Sequence, residues 1–239
     1  MLSSLSGRTA VVTGASRGIG AGIAEALGGE GVRVALVART ESKLKEESAR
    51  IKGSIAVPCD ITNAKAVEQA TKRIATELGG APDIIVNNAG IFSVAVVEET
   101  TAEVFANTIN TNLVAPFLFV RAFLAEMKRR KTGHVVTIGS IADRTIFTGN
   151  AAYSAAKFGL RAVHEVLRAE LKGTGVRTSL ISPASTDTAM WDSVTLTDPV
   201  ANPHETRPML DPQDVMAAVM FALTRPERVN IDELRLSHS

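Results

Sequence analysis

Tyr153 and Lys157 are the two side chains of this sequence whose types and spacing point most clearly to chemistry. They are four residues apart in a segment with helical periodicity, so the phenol and the ammonium share one helical face. An isolated tyrosine has a pKa of about 10, and a neighbouring ammonium favours the phenolate and lowers that pKa. We therefore expect Tyr153 to act as a general acid or base near neutral pH.

Ser140 adds a hydrogen-bonding group to this pair. It lies thirteen residues before Tyr153, directly after a β-branched run that predicts a strand. Its hydroxyl can hydrogen-bond the oxygen of a carbonyl substrate and stabilise a developing alkoxide. Each residue also has an ordinary structural interpretation: Tyr153 as an aromatic at the edge of the core, Lys157 as a surface charge and Ser140 as a strand-end cap.

A glycine-rich turn near the N-terminus is a second candidate site. Residues 13–20 read TGASRGIG and stand between a predicted strand and a predicted helix. Gly14 suits a tight turn, Gly18 lets the backbone approach a pyrophosphate, and Gly20 lets the helix pack against the strand. The helix N-terminus then directs free N–H groups and a positive dipole at phosphates. The alternative is a turn with a purely structural role.

The end of the second predicted strand indicates which dinucleotide would bind. Its sequence is Ala38-Arg39-Thr40, without a carboxylate. A carboxylate there would bind the ribose 2′-hydroxyl of NAD, whereas a guanidinium binds the 2′-phosphate of NADP. Arg17 can reach the same space from the glycine-rich turn. The sequence therefore predicts NADP(H) rather than NAD(H), and the alternative is that both arginines are solvated surface charges.

Short β-branched runs alternate with longer amphipathic segments along the chain. The predicted strands are 9–13, 32–38, 55–59, 84–87, 134–138, 176–181 and 233–236; the predicted helices are 18–27, 41–51 (capped by Thr40), 64–78 (capped by Thr62 or Asn63), 102–130, 153–171 and 212–223 (capped by Asp211). The strands are apolar on both faces, which is typical of a parallel sheet covered by helices on both sides. A Ser-, Thr-, Asp- and Pro-rich stretch predicts a substrate loop at about 184–210.

Composition narrows the function classes. Of the 239 residues 45% are hydrophobic and 21% charged, and the net charge is +1 with basic residues scattered, so we expect no nucleic-acid partner. Cys59, the only cysteine, excludes an internal disulfide and is expected to be a small buried strand residue. Residues 1–6 lack a secretory pattern, and the apolar run 113–127 is interrupted by charges. We expect a cytoplasmic protein without a membrane span.

Together these motifs resemble the short-chain dehydrogenase/reductase family, in its compact single-domain branch. The resemblance covers nearly the whole chain and rests on the 13–20 turn, Asp60, NNAG at 87–90, Asn112 in NTNL, Ser140 and YSAAK at 153–157. It implies a Rossmann-type α/β fold, a doubly wound parallel sheet of about seven strands with helices on both faces, in a single domain over 1–239. It also implies hydride transfer between NADP(H) and a carbonyl or alcohol carbon, with Tyr153 as the acid/base.

The resemblance further implies individual roles. Lys157 would hold the nicotinamide ribose, and Asn112 would bend its helix and hold a water that relays protons to Lys157. The implied catalytic set is Asn112, Ser140, Tyr153 and Lys157. The implied cofactor-binding set is Gly14, Ser16, Arg17, Gly18, Ile19, Gly20, Arg39, Asp60 (at the adenine amino group), Ile61, Asn87, Ala89, Gly90, Tyr153, Lys157, Pro183 and Thr188 (the last two at the carboxamide). No metal site is predicted.

Three positions depart from the family pattern. Pro183-Ala184 replaces the usual Pro-Gly, Gly139-Ser140 replaces a common serine pair, and Asp143 stands where glycine is frequent. Alanine tolerates fewer backbone conformations than glycine. We therefore expect these departures to change the shape of the pocket rather than remove a catalytic group.

The substrate pocket is expected at the carboxyl ends of the strands, beneath the long loop. Its expected lining is Ile141, Ala142, Phe147, Asn150, Met190 and Trp191, although Met190 and Trp191 are equally good candidates for loop anchors. This lining predicts a medium-sized ketone, aldehyde or secondary alcohol. Arg144 is the one candidate for a cation that would bind a phosphorylated or thioester-linked substrate.

Three rival interpretations remain at this stage. The first is a 3-oxoacyl-[acyl-carrier-protein] reductase, although the ending NIDELRLSHS lacks the Asp-Gly-Gly usual there. The second is a non-catalytic NADP-binding regulatory protein, since fold does not determine function. The third is an epimerase or dehydratase, which would need a larger C-terminal domain. By resemblance, helices 102–130 and 153–171 would pair across a two-fold axis, giving a homotetramer or homodimer.

Overall fold

The computed structural model describes residues 3–192 and 209–239, and in them seven parallel strands form one sheet. The strands are β1 Thr9–Thr13, β2 Arg33–Ala38, β3 Ile55–Pro58, β4 Ile84–Asn87, β5 Gly133–Ile138, β6 Val176–Pro183 and β7 Glu233–Leu236. Their order is β3-β2-β1-β4-β5-β6-β7. The order reverses between β1 and β4, and ligands of such sheets bind outside the carboxyl ends of the strands at this point.

Helices cover both faces of the sheet. They are α1 Gly18–Gly29, α2 Glu41–Arg50, α3 Ala64–Leu78, α4 Ala102–Ile109, α5 Ala115–Arg130, α6 Ala151–Leu171 and α7 Pro212–Leu223. Val12 belongs to the core formed with α1 and α7, whereas the adjacent Val11 belongs to the core formed with α3, α5 and α6. This alternation explains why the strands carry apolar residues on both faces. The predicted single-domain Rossmann-type fold is therefore confirmed.

The predicted boundaries agree with the structure to within two residues, with one interruption. The helix predicted at 102–130 is divided by a π-helical turn, Asn110–Val114, between α4 and α5. Asn63, rather than Thr62, caps α3 by accepting the N–H groups of two first-turn residues. Thr40 stands at the N-cap position of α2, but its side chain makes no capping hydrogen bond there. Asp211 caps α7 as predicted, within a reciprocal capping box.

Two histidines are buried against the sheet, His164 on α6 and His134 within β5. The His164 Nδ1 lies 3.1 Å from the Thr137 hydroxyl, and the His134 Nε2 lies 2.9 Å from the Ser179 hydroxyl. Burial lowers the pKa of His164 to about 4 and that of His134 well below its usual range. Both imidazoles are therefore neutral in the folded protein at neutral pH.

Candidate active site

The glycine-rich turn after β1 leaves open space in front of the backbone. Gly14 and Gly18 have φ of +70° and +56°, values that favour glycine. A Cβ on Gly18 would meet only the Thr188 side chain, at 3.9 Å, so the space above it can admit a bulky group. A Cβ on Gly20 would lie 2.3 Å from the Gly14 carbonyl oxygen, so α1 can approach the strand only with glycine there.

The N-terminus of α1 suits an anion. Arg17 occupies the N-cap position in extended conformation, its side chain makes no capping bond, and the first helical turn carries no acidic residue. The free N–H groups of that turn and the positive end of the helix dipole therefore face the space above Gly18. This turn fits the pyrophosphate of a dinucleotide, as the sequence predicts.

The end of β4 is joined to this turn by a residue that the sequence analysis missed. The Asn88 Nδ2 donates to the Thr13 carbonyl oxygen at 2.9 Å. The Thr13 hydroxyl in turn accepts the N–H groups of Asn88 and Ala89, each at 3.1 Å. Asn88 was one of the four residues of the NNAG segment, but only its long-range bonds identify it as the connection between the two strand ends. The predicted Asn87 is buried beneath it, and Gly90 lines the cleft.

The predicted adenosine side lies at the ends of β2 and β3. Asp60 follows β3 and accepts the Thr62 hydroxyl and N–H at 2.8 and 3.1 Å, while Ile61 is buried. These bonds from Thr62, together with the charge of Arg39, lower the pKa of the Asp60 carboxyl. Arg17 and Arg39 are both solvent-exposed, and Ser16 is half-buried. Arg39 is therefore an exposed cation near Asp60, and Arg17 is an exposed cation at the N-terminus of α1.

Three of the four predicted catalytic side chains converge where β5 ends and α6 begins. Ser140 follows β5, and its Oγ accepts the Ala142 N–H at 3.1 Å at the start of a 3₁₀ turn. The Lys157 Nζ lies 5.6 Å from the centre of the Tyr153 ring and donates to the Ile138 carbonyl oxygen at 3.0 Å. Tyr153, Ser140 and Lys157 all line one cavity of about 410 Å³.

The ionisation of the pair differs from the sequence-based expectation. Burial raises the pKa of Tyr153 to about 12, opposed by a hydrogen bond from Ser140 and reinforced by the charge of Asp143. Burial lowers the pKa of Lys157 to about 8, and the charge of Asp143 opposes this. The expected lowering of the phenol pKa by the ammonium is therefore wrong for this structure, because desolvation of both groups outweighs their proximity. A neutral phenol is suited to donating a proton.

Asn112 lies within the π-helical turn, and its side chain is fully engaged. Its Oδ1 accepts the Ile91 N–H and its Nδ2 donates to the Ile91 carbonyl oxygen, both at 2.8 Å. The regular helix is interrupted at Asn112 by this π-helical turn, and the bend predicted there stays a prediction. Through Ile91, Asn112 fixes the segment that follows Gly90, and the proton relay through a water stays a prediction.

The cavity has an apolar, aromatic wall opposite the turn. Phe92 packs edge-on against Tyr153, with ring centres 4.9 Å apart, and against Trp191 at 5.0 Å. The Trp191 Nε1 donates to the Thr186 carbonyl oxygen at 3.1 Å, so Trp191 both anchors its loop and lines the cavity. The sequence analysis does not identify Phe92 as a lining residue. The predicted lining residues Ile141, Ala142, Phe147, Asn150, Met190 and Trp191 all line the cavity, as do Ile19, Pro183 and Thr188.

Two expectations about this cavity need correction or completion. Arg144 is not a free cation, because its guanidinium is paired with the carboxylates of Asp143 and Glu233. Ala184 does not disturb the end of β6, because its N–H donates to the Leu236 carbonyl oxygen at 2.9 Å and extends the pairing with β7. The predicted loop 184–210 is described only to residue 192 and from 209, and 193–208 lie outside the described residues.

A doubly wound sheet, an anion-binding turn, and a half-buried tyrosine beside a buried lysine in one cleft are the features of a dinucleotide-dependent oxidoreductase. The family model for short chain dehydrogenases matches residues 8–199, so the chain belongs to that family. An uncharacterized oxidoreductase of Staphylococcus aureus strain MW2 is 34% identical over 232 residues, which cover 96% of each chain.

Solved structures agree with this assignment. A metagenomic short-chain oxidoreductase in complex with NADP is 33% identical, with a TM-score of 0.83, over 99% of this chain and 100% of the other. An alcohol dehydrogenase from the archaeon Thermococcus sibiricus, complexed with 5-hydroxy-NADP, is 29% identical, with a TM-score of 0.84, over 96% and 95%. The chain is therefore similar to oxidoreductases over at least 96% of its length.

Proposed function

We propose that the protein is an NADPH-dependent reductase that converts a ketone or aldehyde to an alcohol, or catalyses the reverse. The observation that supports this proposal most directly is that Ser140, Tyr153 and Lys157 line one cavity together with Ile19, which belongs to the glycine-rich turn. Bound NADPH would supply the hydride. The residues that would hold it are those of the glycine-rich turn, the ends of β2, β3 and β4, Lys157, and the Pro183–Thr188 segment.

In the reductive direction Tyr153 donates its proton to the carbonyl oxygen. Its raised pKa keeps the phenol protonated at neutral pH, and Ser140 hydrogen-bonds the same oxygen as negative charge develops. The Lys157 ammonium has three N–H groups and donates one of them to the Ile138 carbonyl oxygen. The other two remain available to hold the cofactor. In the oxidative direction Tyr153 must first lose its proton, so we expect alcohol oxidation to be favoured by alkaline pH.

Replacing Tyr153 by phenylalanine tests this mechanism. The variant lacks only the hydroxyl, so the packing against Phe92 should persist. We expect turnover of a carbonyl panel to fall by at least about a hundredfold, the usual contribution of a positioned proton donor. NADPH binding, followed by fluorescence, should be retained. Full turnover in the variant would disprove the role of the phenol, and tight NADPH binding without turnover in the wild type would favour the regulatory alternative.

The choice of NADP(H) rests on charge at the adenosine end of the cleft. Arg17 and Arg39 are exposed there, and Arg39 is close enough to influence the Asp60 carboxyl. A guanidinium favours a 2′-phosphate over a 2′-hydroxyl. The NADP complex of the metagenomic relative supports the same choice. We expect the KM for NADPH to be well below that for NADH.

The Arg39→Gln variant tests the cofactor assignment, with Lys43→Gln on α2 as a matched loss of exposed positive charge. Arg39→Gln should raise the KM for NADPH by about tenfold or more, because a charge-assisted bond contributes about 1.5–3 kcal/mol. It should leave the KM for NADH nearly unchanged. Equal effects of the two substitutions, or a wild-type preference for NADH, would overturn the assignment.

The cavity wall supports an uncharged substrate. Phe92, Phe147, Met190 and Trp191 are apolar or aromatic, and within the described part of the chain the only cationic residue in the lining is Lys157. An anionic substrate would lose hydration there and would find no counter-charge in the described lining other than Lys157, which the mechanism assigns to the cofactor. We therefore expect neutral aryl or branched alkyl ketones to be reduced with higher kcat/KM than 3-oxo acids of equal size. Better turnover of acetoacetyl thioesters would favour the carrier-protein alternative.

A homodimer or homotetramer is also proposed. Exposed apolar residues lie on three helices, an arrangement that favours association; they are Val104, Phe105, Phe117, Phe158 and Val166 on α4, α5 and α6.

The helical stretch Ala102–Arg130 is, by length and composition, apolar enough to cross a membrane, although 44% of its most apolar window is buried. Phe119, Phe123 and Met127 of this stretch pack in the core.

Sedimentation of variants tests the proposed association. Phe117→Asp should dissociate the oligomer, whereas Phe221→Asp, an equally exposed phenylalanine on α7, should not. A wild-type monomer, or dissociation by neither substitution, would refute the assignment of this face. The cytoplasmic location stays a prediction.

A further inference from the structure

Asp143 is a buried carboxylate immediately behind the catalytic strand end. It ends the 3₁₀ turn that begins after Ser140, and its N–H donates to the Ser140 carbonyl oxygen at 3.0 Å. Its side chain has no solvent exposure. A buried charge is costly unless it is paired and hydrogen-bonded, so its partners define its role.

Four groups from four elements surround this carboxylate. The Arg144 Nε lies 2.6 Å from Oδ1, and the Arg161 Nη1 on α6 lies 3.6 Å from the same oxygen. The Ser182 hydroxyl on β6 donates to Oδ2 at 2.7 Å. Glu233 on β7 bonds to Arg144 and lies 3.9 Å from Arg161. Two carboxylates and two guanidinium groups thus form a neutral cluster across the ends of β5, β6 and β7.

Gly139 makes room for this carboxylate. A Cβ at position 139 would lie 2.8 Å from the Ser182 Oγ and 3.1 Å from the Asp143 Oδ2. A serine at 139 would therefore break the Ser182–Asp143 hydrogen bond. Glycine at 139 and aspartate at 143, two departures from the usual pattern, occupy complementary space.

The cluster also adjoins the catalytic pair. Tyr153, Lys157 and Arg161 follow one another at intervals of four residues on α6, so they share one face. The negative charge of Asp143 acts on both Tyr153 and Lys157, disfavouring the phenolate and favouring the ammonium. Glu233 is not among the charges that act appreciably on Tyr153 or Lys157.

We propose that Asp143 is a positioning residue of the reaction: its buried carboxylate, held by Arg144, Arg161 and Ser182, ties the Ser140 turn to α6 and β6 beside the catalytic pair. The proposal rests on the reductase function proposed above. It predicts that the pH range of activity, and not only stability, depends on this side chain.

The test compares Asp143→Asn with Glu233→Gln, which removes the same charge from the same cluster. We expect the pH profile of carbonyl reduction in Asp143→Asn to move to lower pH by roughly half a unit or more, because one charge at an effective dielectric of about 20 changes a pKa by this much even at about 20 Å. The Glu233→Gln profile should coincide with the wild type. Superimposable Asp143→Asn and wild-type profiles, or equal shifts in both variants, would overturn the proposal.

Arg161→Gln provides an independent variant if Asp143→Asn does not fold. It removes a positive charge from a partly exposed position and should move the profile to higher pH. An unchanged or acid-shifted profile would contradict the proposal. Tyr153 is the only tyrosine of the chain, so phenolate absorbance reports its ionisation without turnover. Phenolate should appear at lower pH in Asp143→Asn than in the wild type, even if no carbonyl is reduced.

The space shared by Gly139 and the Asp143 carboxylate allows a second test, based on thermal stability. Gly139→Ser should lower the thermal midpoint by several degrees in the wild type and by much less in an Asp143→Gly background, where Ser182 is released from its bond. Equal costs in both backgrounds would show that the carboxylate does not occupy the space beside position 139.

Discussion

Acidification should destabilise the folded protein through His164, and the size of the effect follows from its burial. His164 is 2% exposed, and its pKa is about 4 when folded against 6.5 for the unfolded chain. Between these values the unfolded chain binds a proton that the folded protein does not, so stability falls as the pH falls. The loss begins near pH 6.5 and is complete near pH 4. It amounts to about 1.4 kcal/mol for each pH unit, or about 3 kcal/mol in total.

Urea unfolding at a series of pH values and constant protein concentration measures this loss. The His164→Asn variant cannot take up the proton, so its stability should fall by about 3 kcal/mol less over the same window. The variant loses some packing at every pH, and the comparison therefore uses the change between neutral and acidic pH. His134 is present in both proteins, and its pKa is lowered mainly by burial, with the charge of His164 as the smallest of the causes. Parallel pH dependences of wild type and variant would refute the assignment of the loss to His164.

Three other perturbations have definite expected outcomes. Gly20→Ala should destabilise the protein by about 1–3 kcal/mol and weaken NADPH binding, because its Cβ would overlap the Gly14 carbonyl oxygen. Urea unfolding measures the loss of stability, and dinucleotide titration measures the loss of affinity. Asn112→Ala should cost roughly 1 kcal/mol for each of the two Ile91 backbone groups it leaves unpaired and should lower kcat, as measured by unfolding and steady-state kinetics. Cys59 should resist alkylation until the chain is unfolded, because burial raises its pKa to about 11; mass spectrometry would detect early modification, which would contradict this.

The sequence predicts the parts of the site that are local along the chain. The turn at residues 13–20 and the Tyr153–Lys157 pair are set by spacing within one turn or one helix, so the structure places them as expected. The strands are equally predictable, because each carries apolar residues on both faces.

The missed features depend on contacts between distant segments. Asn88 is recognised only by its bonds to Thr13, seventy-five residues away, and Phe92 only by its packing on Tyr153 and Trp191. Arg144 is a candidate substrate cation in sequence, but its pairing with Glu233 follows from β7 joining the sheet beside β6. The pKa of Tyr153 was misjudged because spacing reports the proximity of charges and not their desolvation.

The position of Trp191 gives the protein an intrinsic optical reporter. It is the only tryptophan in the chain, so all indole emission originates from the wall of the cleft beside Phe92. A ketone or a dinucleotide that enters the cavity changes the surroundings of that one fluorophore. Occupancy can therefore be titrated on unlabelled, unmodified protein, and affinity can be separated from catalytic rate before any product is known.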